Sequence, residues 1–77
     1  MAATKMICRM VARFEAGAQY NILEEATGKI IGRIYYATKG VQYMVLRFGW
    51  DYAGNRNIAA HAYFGSLPEC LKWFKEE

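Results

Sequence analysis

The chain is poor in the groups from which catalytic and metal sites are assembled. It has one histidine (His61), one aspartate (Asp51), one proline (Pro68) and two cysteines (Cys8 and Cys70). Two cysteines and a lone histidine do not make the ligand spacing of a zinc site. The remaining carboxylates lie mostly at Glu24-Glu25 and in the C-terminal tail. No nucleophile–base pair and no carboxylate pair can be built from such a set. We therefore expect no enzyme, no metal and no cofactor. Gly28, Gly40 and Gly54 are separated turn glycines with no helix after any of them, which excludes a phosphate loop.

Long apolar runs are also missing, so no membrane span is expected. Residues 6–11 are apolar except for Arg9, and no small-residue cleavage site follows, so no secretory signal is expected. Cytoplasmic location with reduced thiols is the corresponding expectation. A Cys8–Cys70 disulfide is the alternative if strand and helix meet at those positions. Ten basic against seven acidic side chains leave a net charge of +3, too weak by itself to indicate nucleic acid.

What is abundant is apolar and aromatic surface, 55% and 16% of the 77 residues. That content argues for one folded domain, residues 1–77. It also exceeds what one small core can hide, so part of it is expected at an interface.

Ser66-Leu67-Pro68-Glu69 has the pattern of a capping box. Ser66 can accept from the Glu69 amide, and Glu69 can reach back to the Ser66 amide. Pro68 falls in the first turn, where its missing N–H costs nothing. Leu67, Cys70, Leu71 and Phe74 then follow at the spacing of one helical stripe. Everything before this helix alternates with period two. Residues 1–4 read as a frayed start. Strands are expected over residues 5–15, 19–25, 30–38, 41–50 and 57–64, joined by short turns. The first turn is assigned to Ala16-Gly17-Ala18, with Gly17 free to take positive φ. The predicted fold is α+β: an antiparallel meander of four to five strands with one C-terminal helix, β-β-β-β-β-α in two layers.

The alternation also predicts which side chains meet the helix. The inward sets are Met6, Cys8, Met10, Ala12 and Phe14; Tyr20 and Ile22; Ile30, Ile34 and Tyr36; Met44, Leu46, Phe48 and Trp50; and Ile58, Ala60, Ala62 and Phe64. The outer face then collects Arg9, Val11, Arg13, Arg33, Tyr35, Tyr43, Val45, Arg47, His61 and Tyr63. Arginine interleaved with tyrosine suits a protein interface, where both residues are common hot spots. It also suits single-stranded nucleic acid, through phosphate neutralisation and base stacking. A merely solvated face is the plainest reading.

The segment Phe64-Gly65-Ser66, followed by Trp73-Phe74, resembles the strand-to-helix junction of small phage-encoded type I-F anti-CRISPR proteins, with the same F-x-S-x6-W-F spacing. The resemblance implies a small, non-catalytic phage or mobile-element protein that occludes a surface of a host nucleoprotein complex, in the host cytosol. The predicted topology alone is also similar to that of single-strand-binding transcription coactivators, which dimerise.

The expected partner contacts are Arg33, Tyr35, Tyr43, Arg47 and Tyr63 on the outer face, with Tyr52 and Arg56 from the loop after the fourth strand. A protein partner is preferred to free nucleic acid, and no membrane is expected. A small homodimeric adaptor is a further alternative. Charge reversal at Arg33 and Arg47 together is expected to abolish partner capture without unfolding the domain.

Overall fold

The computed structural model describes residues 5–76. The frayed start expected for residues 1–4 lies outside the described residues, as does residue 77. Five strands, β1 (Met6–Phe14), β2 (Gly17–Glu24), β3 (Ile30–Ala37), β4 (Gln42–Trp50) and β5 (Arg56–Phe64), precede one helix, α1 (Leu67–Glu76). The strands form a single antiparallel sheet in the order β1-β2-β3-β4-β5. The predicted two-layer α+β meander is the fold, with five strands in its sheet.

Local chemistry accounts for the boundaries. Gly28, Gly40 and Gly54 have φ of 73°, 85° and 84° in the three connections between β2 and β5, a region that favours glycine. The first turn differs from expectation. Gly17 opens β2 and is not among the positive-φ residues. Its role is close approach, because a Cβ there would collide with the Tyr36 carbonyl oxygen. At the helix start, Ser66 Oγ accepts from the Glu69 amide at 3.4 Å and donates to the Glu69 carboxylate at 3.1 Å. The cap therefore closes on the Ser66 hydroxyl rather than on the Ser66 amide.

Ile22, Ile34 and Val45, from the three central strands, form the core with Cys70 and Phe74 of α1, all five fully buried. Cys8 packs against this cluster. Cys8 and Cys70 are both free thiols. Burial pushes the Cys8 thiol up and the Cys70 thiol to about 11, which keeps both protonated and poorly nucleophilic.

Directly paired residues share a face of a sheet. Three pairing rows therefore define the side under the helix: Cys8–Ile22–Gly32–Arg47–Ala60, Met10–Tyr20–Ile34–Val45–Ala62 and Arg13–Ala18–Tyr36–Tyr43–Phe64. The set assigned to β4 is thus reversed. Val45, Tyr43 and Arg47 meet the helix side, and Met44, Leu46 and Phe48 point away.

Three bulges account for the other differences. Val11 in β1, Ile31 in β3 and Ala59 in β5 are extra residues in their ladders. Each inserts one residue and inverts the alternation beyond it. Ala12, Phe14, Ile30 and Ile58 consequently change sides relative to the simple period-two reading, and so does Arg13.

Candidate interaction surface

A ten-residue helix is about 15 Å long and covers only part of a sheet whose strands run about 30 Å. It covers one side of the sheet, and the opposite side carries no element among the described residues. Its rows are Ile7–Leu23–Ile30, Arg9–Asn21–Arg33–Leu46–His61 and Ala12–Gln19–Tyr35–Met44–Tyr63, with the pairs Phe48–Ile58 and Trp50–Arg56. These rows contain Arg9, Arg33 and Arg56 and no acidic residue.

Leu46 and Phe48 are each only 8% exposed although they face away from the helix. Phe48 is flanked from both neighbouring strands. The Arg33 guanidinium carbon lies 5.5 Å from its ring centre and that of Arg56 lies 4.4 Å away. Both distances are within reach of cation–π attraction. Arg33 is further oriented by neutral acceptors, donating from Nε to Asn21 Oδ1 at 3.3 Å and from Nη1 to the Tyr35 hydroxyl at 3.4 Å. Tyr63 stands against His61 edge to face, with centroids 5.9 Å apart and planes at 87°.

Of the seven predicted contact residues, Arg33, Tyr35, Arg56 and Tyr63 share this open face. Tyr52 is fully exposed at the tip of the β4–β5 connection. That connection is built around Asp51, whose Oδ1 accepts from the amides of Ala53 and Asn55, each at 2.9 Å. These hydrogen bonds hold the Asp51 carboxyl below its ordinary value, the Asn55 amide contributing most.

Tyr43 and Arg47 do not belong to the surface. Tyr43 stacks on Tyr36 with centroids 4.4 Å apart on the helix side. Burial raises its phenol above the ordinary value, and Tyr20 and Tyr36 add to the effect. Arg47 donates from Nη2 to the Phe74 carbonyl, and its guanidinium carbon lies 4.0 Å from the centre of the Phe74 ring. It is a part of the helix packing. Charge reversal at Arg47 therefore strikes the packing of α1 rather than the open face, contrary to the expectation that it spares the fold. Phe48 and Leu46 were missed as surface elements because the most apolar set of β4 was assigned to the core. The legible signal is that the other set, Val41, Tyr43, Val45 and Arg47, is also largely apolar.

Elsewhere, an open cleft of about 830 Å³ lies beside the end of α1, lined among others by Lys5, Glu24, Glu25, Phe74 and Lys75. Its charges are of mixed sign. Among the described residues no group of three or more His, Cys, Asp or Glu side chains is placed to hold a metal ion, and no helix is long and apolar enough to cross a membrane. The residues of the type I-F-like junction have structural positions: Ser66 caps the helix, Phe64 and Trp73 pack against the core, and Phe74 is within it. No family model, curated protein or solved structure matches the chain.

Proposed function

We propose that this is a non-enzymatic binding domain that acts by occupying the surface of a protein partner with its open sheet face. The observation that carries the reading is the composition of that face. Its rows carry Arg9, Arg33 and Arg56 and no acidic residue, with Leu46, Phe48, Ile58 and Tyr63 on the same face, and Ile58 and Tyr63 are 58% and 54% exposed. Arginine and tyrosine around an apolar centre are what a specific protein interface uses. The narrower reading is a phage or mobile-element inhibitor that occludes a host nucleoprotein complex of the CRISPR type. It is supported by the resemblance over residues 64–74 alone.

Affinity capture from a host lysate tests the reading, run with and without nuclease, in low and moderate salt, beside Ile58→Asp and Tyr63→Ala. A stoichiometric protein partner that resists nuclease and is lost with both variants is the expected result. Capture that persists in both variants overturns it.

A second reading, a single-strand nucleic-acid binder on the same face, is favoured by its arginines, which form no ion pair among the described residues. It predicts recovery that vanishes with nuclease and falls steeply with salt, through counterion release. The homodimer alternative is disfavoured at the sheet edges. Both edge strands, β1 and β5, carry a bulge near their middle, a device that interrupts edge-to-edge pairing.

A further inference from the structure

We propose that Arg33, Phe48 and Arg56 form a carboxylate-recognition point that takes an acidic side chain of an otherwise apolar protein segment. The proposal rests on the open face being the binding surface. Phe48 lies in β4 between the two arginines, Arg33 reaching it from β3 and Arg56 from β5. The guanidinium carbons are therefore no more than about 10 Å apart. Phe48 is almost fully covered, so its ring is a fixed support. Arg33 uses two N–H donors on Asn21 and Tyr35 and retains others. Those two acceptors are neutral, so they orient the guanidinium without neutralising it. Arg56 forms no ion pair among the described residues. Two charged forks on a part-apolar surface, with no carboxylate in the surrounding rows, are complementary to a carboxylate, which arginine binds through paired N–H donors.

The surroundings favour a protein over a nucleic acid as the source of that anion. Ile58 faces Phe48 directly and is exposed. The row beyond holds Ile7, Leu23 and Ile30, with Ile7 36% exposed. Aliphatic side chains bury leucine or valine well, whereas bases need flat rings. Of the rings near this point, Trp50, which pairs with Arg56, has the Lys29 ammonium 4.0 Å over its centre, and Tyr63 stands five residues beyond Ile58 in β5, edge-on to His61.

The test is side-chain NMR of the arginine Nε–Hε groups in the full chain. The probes are a short synthetic peptide alternating glutamate with leucine, its glutamine counterpart, and an oligothymidylate of equal formal charge. The Arg33 and Arg56 signals are expected to move with the glutamate peptide and to stay in place with the glutamine peptide. Arg56→Gln is expected to weaken binding about tenfold. Arg33→Lys, which keeps the charge but loses the fork, should weaken it by a similar factor. Arg56 is exposed, so its variant reads out binding even if the Arg33 variant alters the fold. Equal response to both peptides, no response to the glutamate peptide, or stronger response to the oligothymidylate overturns the proposal.

The lysate capture separates this proposal from the reading beneath it. Capture kept by the Arg33→Gln/Arg56→Gln double variant but lost with Ile58→Asp removes the guanidinium pair and leaves the docking face standing. Capture indifferent to all of them removes the face itself.

Discussion

The guanidinium carbon of Arg47 lies 4.0 Å from the centre of the Phe74 ring, while its Nη2 donates to the Phe74 carbonyl. Gly32, paired with Arg47 across the β3–β4 ladder, leaves the space in which that ring sits. One side chain thus ties the last turn of α1 to the sheet. Helix C-terminal carbonyls lack intrahelical donors and carry the negative end of the dipole. A cation there satisfies both needs.

Arg47 substitutions should therefore act on stability. Arg47→Met keeps the stem over Phe74 but removes the charge-assisted bond, and should cost about 1–2 kcal/mol. Arg47→Glu sets a carboxylate against the negative end of the helix and should cost roughly 2–4 kcal/mol. A chain of this size has on the order of 4–11 kcal/mol in total, so the second variant is near the limit of folding. Urea midpoints rank the variants. Equal midpoints for wild type and Arg47→Glu would show that Arg47 does not hold the helix.

Gly32→Ala tests the other side of the same contact. A Cβ at position 32 would fall inside contact distance of the Phe74 ring and 2.7 Å from the Leu46 carbonyl oxygen. The ring cannot withdraw without opening the core, since Phe74 is fully buried. Overpacking of this kind costs about 1–3 kcal/mol. The expected signs are a lower urea midpoint and a changed near-ultraviolet circular dichroism band. Restoration of the midpoint by a second change, Phe74→Leu, would assign the loss to this contact.

The sequence made the element order, the strand spans and the Ser66 cap legible, because period two and period 3.6 differ strongly and Gly65-Ser66 marks the change. The side chains of β4 were not legible. Met44, Leu46, Phe48 and Trp50 outrank Tyr43, Val45, Arg47 and Gly49 in apolarity, so burial alone chooses the wrong face. What decides is the need of the helix end for a cation, and the cover that Arg33 and Arg56 give Phe48. Both depend on tertiary neighbours. The bulges at Val11, Ile31 and Ala59 were equally hidden, since an inserted residue leaves no mark in a continuous apolar pattern. Arg33, Tyr35 and Tyr63 keep the expected face because the bulges at Ile31 and Ala59 lie before them in their strands, and the alternation beyond each bulge is unbroken.

Val41 carries the one positive φ among the described non-glycine residues, 48°. A β-branched side chain is strained in that region. Val41 is 56% exposed, so little packing would be lost on its removal. Val41→Gly and Val41→Asn should each raise stability, by about 1 kcal/mol before the extra freedom that glycine gives the unfolded chain. Asparagine, which avoids that entropy cost, should equal or exceed glycine. Thermal unfolding of the two variants checks the order. A drop in both would mean that the valine side chain holds the β3–β4 turn.

The thiol of Cys70 sets an alkaline limit. Its value in the fold is pushed to about 11 from 9.0, first by burial, with Glu69 and Cys8 adding to it. An acid whose folded value is raised holds its proton more tightly when folded than when unfolded. Its contribution is therefore fully present below pH 9 and is lost as pH rises towards about 11. Cys8 and Tyr43 are raised too and act in the same direction. Urea midpoints measured across this range should be flat near neutrality and decline above pH 9. Cys70→Ala should begin lower, because it leaves a small cavity beside Phe74, and should then decline less steeply. Parallel curves for the two proteins would show that Cys70 ionises as readily in the fold as in the unfolded chain. The same thiol should react with an alkylating reagent at pH 8 only as fast as the domain opens. Its labelling should quicken with Arg47→Glu, which loosens the helix that buries it, and rapid labelling of the native wild type would contradict the burial of Cys70 in the core.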